Sequence, residues 1–449
     1  MEIILDLFFY LTLIPFYVVA YVELKRWVPI LSLSGLFLIL NFIFVVIPGY
    51  FNYRGWATYQ ELSQLNITAY ILYYLQAVIP VLSIYVAWRW GGPPAIRIKE
   101  KRGIKPLFFA VLGAVVAYDI FYTVFNAAQI PLISVFTGNF DVVALYRSVL
   151  THGFEDSNLP WYFGYYRIFT KDLIFLLAIP CFLFAKFWKS IWMTTAFIAL
   201  AFLLLMHVEK GYLLFLFAAI YLAQTDFRPP SRKAVVLIAI GTTVLAFIVT
   251  YALFSQSAVS ALAYLPARLA DQTGYVVAQL DVFEPYGFLG IKGIRLGLFD
   301  KLFPVTHVDI PALTYGVVLP GFEAQGISGS TAGAAMAELY MIAGYFAPVL
   351  FFVSLYMLAR LDKNFRVFAT TKFRAESVFS ERLAKSFYIY FVCFYSLEPI
   401  TSVFNIFSIV TIFAPSLLLA VLLYAMFFRI SFRIAMPLAT RSGDRCSAL

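Results

Sequence analysis

The chain predicts an all-α polytopic integral membrane protein, one transmembrane domain over residues 1–449 with about eleven (10–12) spanning helices. Three observations lead there. The sequence is 62% hydrophobic and 13% charged, more apolar surface than a soluble fold can bury. Its apolar runs recur at lengths of about 20 residues, the number that crosses the hydrocarbon of a bilayer. Its basic residues gather in alternate loops, as in membrane proteins with a defined orientation. Soluble folds are excluded at this step.

The runs predict helices over about 3–22, 28–48, 67–88, 106–127, 168–187, 190–207, 211–224, 234–254, 335–359, 386–399 and 401–428. The seventh and tenth are short, which fits tilt, burial by neighbours or an incomplete span. The first lacks a basic leader and a small-residue cleavage site, so it reads as a retained anchor.

Orientation follows from Lys and Arg. One set of loops holds Lys25/Arg26, Arg89 to Lys105, Lys186/Lys189, Arg228 to Lys233, Arg360 to Lys385 and the tail from Arg429. That set carries 24 of the 33 basic residues and 7 of the 24 acids, a balance of +17 against −8 for the rest. Positive loops stay cytoplasmic. The reading therefore puts the amino terminus outside and the carboxyl terminus inside. The overall charge of +9 reflects this distribution and gives no reason to expect nucleic acid. Cys181, Cys393 and Cys446 show neither zinc spacing nor a disulfide framework, and three scattered histidines make no metal site. No cofactor is expected.

Two external loops are long, residues 128–167 and 255–334, and long loops of this kind usually carry function. Residues 262–280, "LAYLPARLADQTGYVVAQL", read as an amphipathic helix on the membrane surface. Residues 286–303, "YGFLGIKGIRLGLFDKLF", read the same way. No internal repeat or inverted-repeat symmetry is visible.

Outer-face basic residues are few: Arg54, Arg147, Arg167, Lys171, Lys210, Arg268, Lys292, Arg295 and Lys301. Pairing with nearby acids or solvation explains any single one. An anionic ligand at the outer leaflet explains them as a set, and a diphosphate is the natural candidate, since it needs several cations near hydrocarbon. In "LLLMHVEKGYLLFLF", His207, Glu209 and Lys210 interrupt an apolar run at the outer hinge between the sixth and seventh helices. Lys210 either snorkels, neutralised by His207 or Glu209, or serves a site, as ionisable residues at that depth usually do. Arg147, in "DVVALYRSVLTHGFEDSN", and Arg268, in "LPARLADQTGYVVAQLD", come from the two long loops; lipid phosphate is the competing partner for each.

A third stretch, "PGFEAQGISGSTAGAAMAELYMIAGYF" (320–346), carries Gly321, Gly326, Gly329 and Gly333. These make a loop that a ligand can approach closely. It leads into the ninth helix, whose first turns present Glu338 and Tyr340, and a helix amino-terminal end favours anions. The alternative is an ordinary cap followed by packing residues. Asp119, mid-span in the fourth helix, is either a buried partner of a basic residue or a hydrogen-bonded structural carboxyl.

In three places the chain resembles the O-antigen polymerases, the Wzy type of oligosaccharide repeat-unit polymerase. They are "HVEKGYLLFLFAAIYLAQTDFRPP", the Arg-bearing loop pair "LYRSVLTHG" and "PARLADQTGYVVAQ", and "GISGSTAGAAMAELYMIAGYFAP". The likeness spans about residues 140–350 and is mostly one of topology. The family's spacing from loop arginine to glycine is met loosely, by Arg147 to Gly164 and Arg268 to Gly287. The resemblance implies a GT-C-like helical glycosyltransferase of a bacterial inner membrane, its active site facing the periplasm. Such an enzyme makes O-antigen or a related surface polysaccharide, part of lipopolysaccharide biosynthesis. It transfers a glycan from undecaprenyl diphosphate to a hydroxyl on the next lipid-linked repeat unit. On that reading Arg147, Lys210 and Arg268 bind the diphosphate, Tyr340, His207 and Arg295 position substrate, and Glu338, Glu323 or Asp281 takes the acceptor proton. Implied partners are the lipid-linked oligosaccharides, the bilayer, a chain-length regulator and a flippase. Two rivals remain: an O-antigen ligase, with the same topology and lipid-diphosphate chemistry but acting on lipid A core, and a lipid-linked oligosaccharide flippase, which would favour charges lining the membrane interior rather than its faces.

Overall fold

The computed structural model describes residues 2–48, 67–90, 96–100, 103–125, 130–139, 172–206, 210–229, 275–294, 310–318, 334–370, 378–396 and 422–432, with a few isolated positions besides. Its main elements are α1 (Glu2–Leu24), α2 (Leu33–Asn41), α3 (Ile67–Arg89), β1 (Ile96–Glu100), α4 (Ile104–Phe125), α5 (Pro131–Phe136), α6 (Leu173–Trp188), α7 (Ile191–Leu205) and α8 (Lys210–Thr225). Then come α9 (275–283), α10 (Ile310–Val318), α11 (Ala335–Ala343), α12 (Ala347–Phe365), α13 (Val378–Tyr395), a helical piece over 422–427 and β2 (Phe428–Phe432).

The protein is predominantly helical. Among the described residues, three stretches are long and apolar enough to cross a membrane by length and composition: Ile67–Arg89, Ile104–Phe121 and Ala335–Phe365, the last interrupted by a 3₁₀ turn at Gly344–Phe346. Shorter apolar helices surround them, including Leu173–Trp188 and Ile191–Leu205. The predicted span over 234–254 falls almost wholly outside the described residues.

A small sheet departs from the all-α expectation. β1 and β2 pair antiparallel, Ile98 opposite Ile430. Both strands belong to basic segments that the charge pattern assigns to one face, so the pairing brings those segments together. The expected tenth helix, 386–399, begins earlier, at Val378. An apolar run stops at its first charges, whereas the helix continues through Glu381, Arg382 and Lys385.

Two buried polar networks tie the helices. In the first, the fully buried Asp362 of α12 receives the Leu33 and Ser34 backbone N–H groups at 3.3 and 2.8 Å. The Ser34 and Tyr388 hydroxyls donate to it at 2.6 and 2.8 Å. A carboxylate far away in sequence thus caps α2, where the helix dipole favours negative charge. Trp88 Nε1 donates to Ser34 Oγ at 3.0 Å, and Lys363 Nζ donates to the Trp88 carbonyl at 3.0 Å. Gly35 lets the preceding turn close on α2; a Cβ there would run into the Pro29 and Ile30 carbonyl oxygens.

In the second network, Gln76 Nε2 donates to Asn41 Oδ1 at 3.2 Å. Asn41 Nδ2 donates to the Tyr17 hydroxyl at 2.8 Å, and that hydroxyl donates to the Ala77 carbonyl at 2.8 Å. Gln76 Oε1 accepts the Met336 backbone N–H at 2.8 Å. Without water, polar groups among apolar helices must satisfy one another, and here they join α1, α2, α3 and α11. Elsewhere the packing is aromatic: Phe184 stacks on Phe379 with centroids 4.5 Å apart, and Phe108 meets both rings edge-on.

Asp362→Ala should lower stability by about 3–5 kcal/mol, because four donors lose a buried anionic acceptor. Ser34→Ala, which removes one donor, should cost about 1–2 kcal/mol. Thermal melting of the detergent-solubilised protein checks the order; an unchanged midpoint for Asp362→Ala would show that the network contributes nothing.

Candidate functional site

The predicted ninth helix, 335–359, is two helices that fold back on each other. Gln76 and Trp88 lie about 18 Å apart along α3. Gln76 bonds to Met336, and the Trp88 carbonyl bonds to Lys363. A straight helix would separate residues 336 and 363 by about 40 Å, more than two side chains can make up. The chain therefore reverses between α11 and α12, through the 3₁₀ turn Gly344–Phe346. Gly344 makes the reversal with φ +58°, a left-handed conformation open to glycine. A Cβ there would also sit 3.2 Å from the Phe288 ring.

In consequence the amino-terminal end of α11 is turned into the helix bundle, at the depth of Gln76, about 14 Å along α3 from its first residue. The Gly-rich stretch 321–333 leads directly to it. Hydropathy alone cannot distinguish this half-helix from the start of a span.

Part of the second long loop lies over the reversal. Leu289 N–H donates to the Met341 carbonyl at 2.9 Å, and Gly293 fits so closely that a Cβ would fall 2.7 Å from Ile342 Cγ1. The Phe288 and Tyr340 rings meet edge-on at 5.7 Å, Tyr340 and Tyr345 at 6.3 Å, and Phe283 packs on Phe288 at 6.0 Å. Tyr345 is 86% exposed and Phe288 56%. An aromatic crest thus covers the fold-back. Sequence reasoning singled out Tyr340 and missed its partners, whose signal was only scattered Phe and Tyr far apart in the chain.

The two amphipathic helices expected in this loop are corrected. Within 262–280, residues 275–280 are helical and all buried, so this portion is no surface helix. Residues 262–274 lie outside the described part. In 286–303, the chain forms separate short turns, Glu284–Tyr286 and Gly290–Gly293, because Gly287 and Gly290 adopt φ +64° and +53° and break a helix. Positions 295–303 are outside the described residues.

Of the proposed site residues, Asp281, Glu338 and Tyr340 are described fully. Glu338 is half-buried in the first turn of α11, and Tyr340 follows on the same helix. Asp281, exposed near the end of α9, is held above the ordinary carboxylate range by partial burial and then by the Glu284 carboxylate. Lys210 is described by its backbone alone, as the first residue of α8. Arg147, Arg268, Arg295, His207 and Glu323 lie outside the described residues, so the proposed diphosphate clamp is neither assembled nor dispersed by these contacts.

Asp119 is 2% exposed in α4, and neither carboxylate oxygen has a hydrogen-bond partner among the described residues. One helical turn on, Thr123 Oγ1 contacts Met206 Sδ at 3.6 Å, and Leu132 N–H donates to the Met206 carbonyl at 3.0 Å. The carboxylate thus lies about 6 Å along α4 from the point where the chain runs into His207–Lys210.

Comparison with protein-family models, with curated proteins and with solved structures finds no match. The class that fold and site define is a helical membrane protein with a re-entrant half-helix beneath an aromatic crest.

Gln76→Leu should free the Met336 amide and reduce its protection by about 1–3 kcal/mol, read as faster hydrogen exchange in a peptide covering 334–343. Unchanged exchange would show that α3 does not anchor the half-helix.

Proposed function

We propose that the protein is a glycosyltransferase that polymerises undecaprenyl-diphosphate-linked oligosaccharide repeat units at the external face of a bacterial inner membrane. On this reading it has about eleven spans, with the amino terminus outside and the carboxyl terminus inside. The observation that carries the proposal is the half-helix α11. Its amino-terminal end, preceded by a glycine-rich loop, is turned into the bundle, and aromatic rings lie above it. The helix dipole favours an anion at such an end, while aromatic surfaces pack against the C–H faces of sugars. A lipid diphosphate carrying a glycan offers both chemistries on one molecule.

The reaction breaks the bond between the reducing-end sugar and the diphosphate and forms a glycosidic bond to the acceptor hydroxyl. Glu338, Glu323 or Asp281 takes the hydroxyl proton, and the lipid diphosphate leaves with the bonding electron pair. Arg147, Lys210 and Arg268 stabilise the charge that develops there; Tyr340, His207 and Arg295 position the sugar. The raised Asp281 suits proton transfer better than an ordinary surface carboxylate does.

A second reading, a lipid-linked oligosaccharide flippase, draws on a different observation. Asp119 is a buried carboxyl without a partner among the described residues, and buried intramembrane carboxyls and broken helices are features of transport proteins.

The purified protein with lipid-diphosphate repeat units should build a ladder of longer glycans without nucleotide sugar, ATP or added divalent metal. Lys210→Ala, Arg147→Ala and Arg268→Ala should each reduce the rate 30-fold or more, corresponding to about 2–5 kcal/mol of lost charge stabilisation. A flippase would instead move labelled lipid across proteoliposomes with no change in glycan length, and a ligase would require lipid A core. Normal ladders from all three variants would place the diphosphate elsewhere.

Reporter fusions at Arg97 and Arg366 should read cytoplasm, and fusions at Glu155 and Asp300 the external side. A cytoplasmic signal at Asp300 would remove the second long loop from the site.

A further inference from the structure

At the end of the bundle where α6 and α8 finish, a cavity of about 330 Å³ lies between them and α13. Lys186 of α6, Arg382 and Lys385 of α13, and Asp226 after α8 line it, three cations and one carboxylate. A surplus of basic residues on a cytoplasmic face needs no special explanation, and helix carboxyl ends attract cations. Three features go beyond that.

Lys385 is 4% exposed, and among the described residues its anionic partner is Asp226, whose side chain is 64% exposed. A buried ammonium is therefore paired with a carboxylate that water can reach and solvate. Arg382 is held over the Phe187 ring, 5.3 Å from its centroid, and its Nε is buried with no acceptor among the described residues. An unpaired buried N–H costs about 1–3 kcal/mol. Finally, Asp226 and Phe227 both have positive φ, 56° and 59°. For a bulky residue such as Phe227 this is rare. The turn lays the Phe227 ring 5.8 Å from Lys385 Nζ while the neighbouring Asp226 reaches the same ammonium.

We propose that this cavity binds a phosphate group, gripped by Arg382, Lys385 and Lys186, with Asp226 as the internal anion that phosphate displaces from Lys385. Phosphate supplies the acceptor that the Arg382 Nε lacks among the described residues, and it carries the charge that three lining cations beside one carboxylate call for. A basic pocket between helices at this face suits the headgroup of an anionic lipid, and free phosphate presents the same oxygens. The site lies at the opposite end of the bundle from the aromatic crest and does not depend on the polymerase reading.

The test uses the full-length protein in dodecyl maltoside, a detergent without phosphate. Inorganic phosphate and dioctanoyl phosphatidic acid are titrated separately at constant ionic strength. Native mass spectrometry counts the bound lipid, and ³¹P NMR line broadening follows phosphate. Saturable binding of at least one probe is expected, weakened tenfold or more by Arg382→Gln. Asp226→Asn, at an exposed position, should tighten binding several-fold by freeing Lys385. Binding of the lipid alone identifies a headgroup site; binding of both probes identifies a site for phosphate itself. Failure of both probes to saturate the wild-type protein would overturn the proposal, as would saturable binding unaffected by Arg382→Gln and Asp226→Asn.

Discussion

The absence of water among apolar helices is the constraint from which most of this architecture follows. Each buried polar atom must find its partner inside the protein, and the Asp362 carboxylate is the clearest case. It caps α2, takes the Tyr388 hydroxyl of α13, and through Ser34 is linked to Trp88 of α3. One side chain therefore sets where four helices meet. Leu and Phe fill the remaining space, but apolar contacts have little direction, and they tolerate sliding that a network of oriented donors does not.

Nearer the middle of the bundle, the Gln76–Asn41–Tyr17 network does the same for α1, α2 and α3, and it adds Met336. That last bond matters most for the proposed site. It holds the beginning of α11 at a fixed depth while α12 is fixed at the other end through Lys363 and Asp362. Between two anchors closer together than a straight helix allows, the chain has to turn back, and Gly344 supplies the turn. A glycine-rich approach, a half-helix end and an aromatic cover are thereby gathered at one place by bonds made elsewhere in the bundle.

The two ends of the bundle differ in chemistry. Around the fold-back, the described surfaces are aromatic and carry the carboxylates of Asp281, Glu284 and Glu338 and the ammonium of Lys292. At the other end, Lys105 lies over Phe379, Arg382 over Phe187 and Lys385 over Phe227. Cations packed on rings keep their charge while shedding part of their water, which prepares them for an anion better than full solvation would.

Composition and apolar periodicity were enough to establish a helical membrane protein, and most helices lie within a few residues of where the runs put them. α3 and α4 are close to 67–88 and 106–127 because span length is a local property: hydrocarbon thickness sets the number of apolar residues required. Charge distribution likewise grouped Arg89–Lys105 with the tail from Arg429, segments that pair as β1 and β2. A contiguous pattern put Glu338 and Tyr340 at a helix start after a glycine-rich run, and they lie on α11. The loss of helix at Gly287 and Gly290 is local to those glycines. The reversal at Gly344, the start of α13 at Val378 and the cation cavity were decided by tertiary structure alone. Each rests on contacts between residues far apart in the chain, such as Gln76 with Met336, Phe288 with Gly344, and Asp226 with Lys385. Hydropathy records how oily a segment is; it holds no record of which distant partner will satisfy its polar atoms.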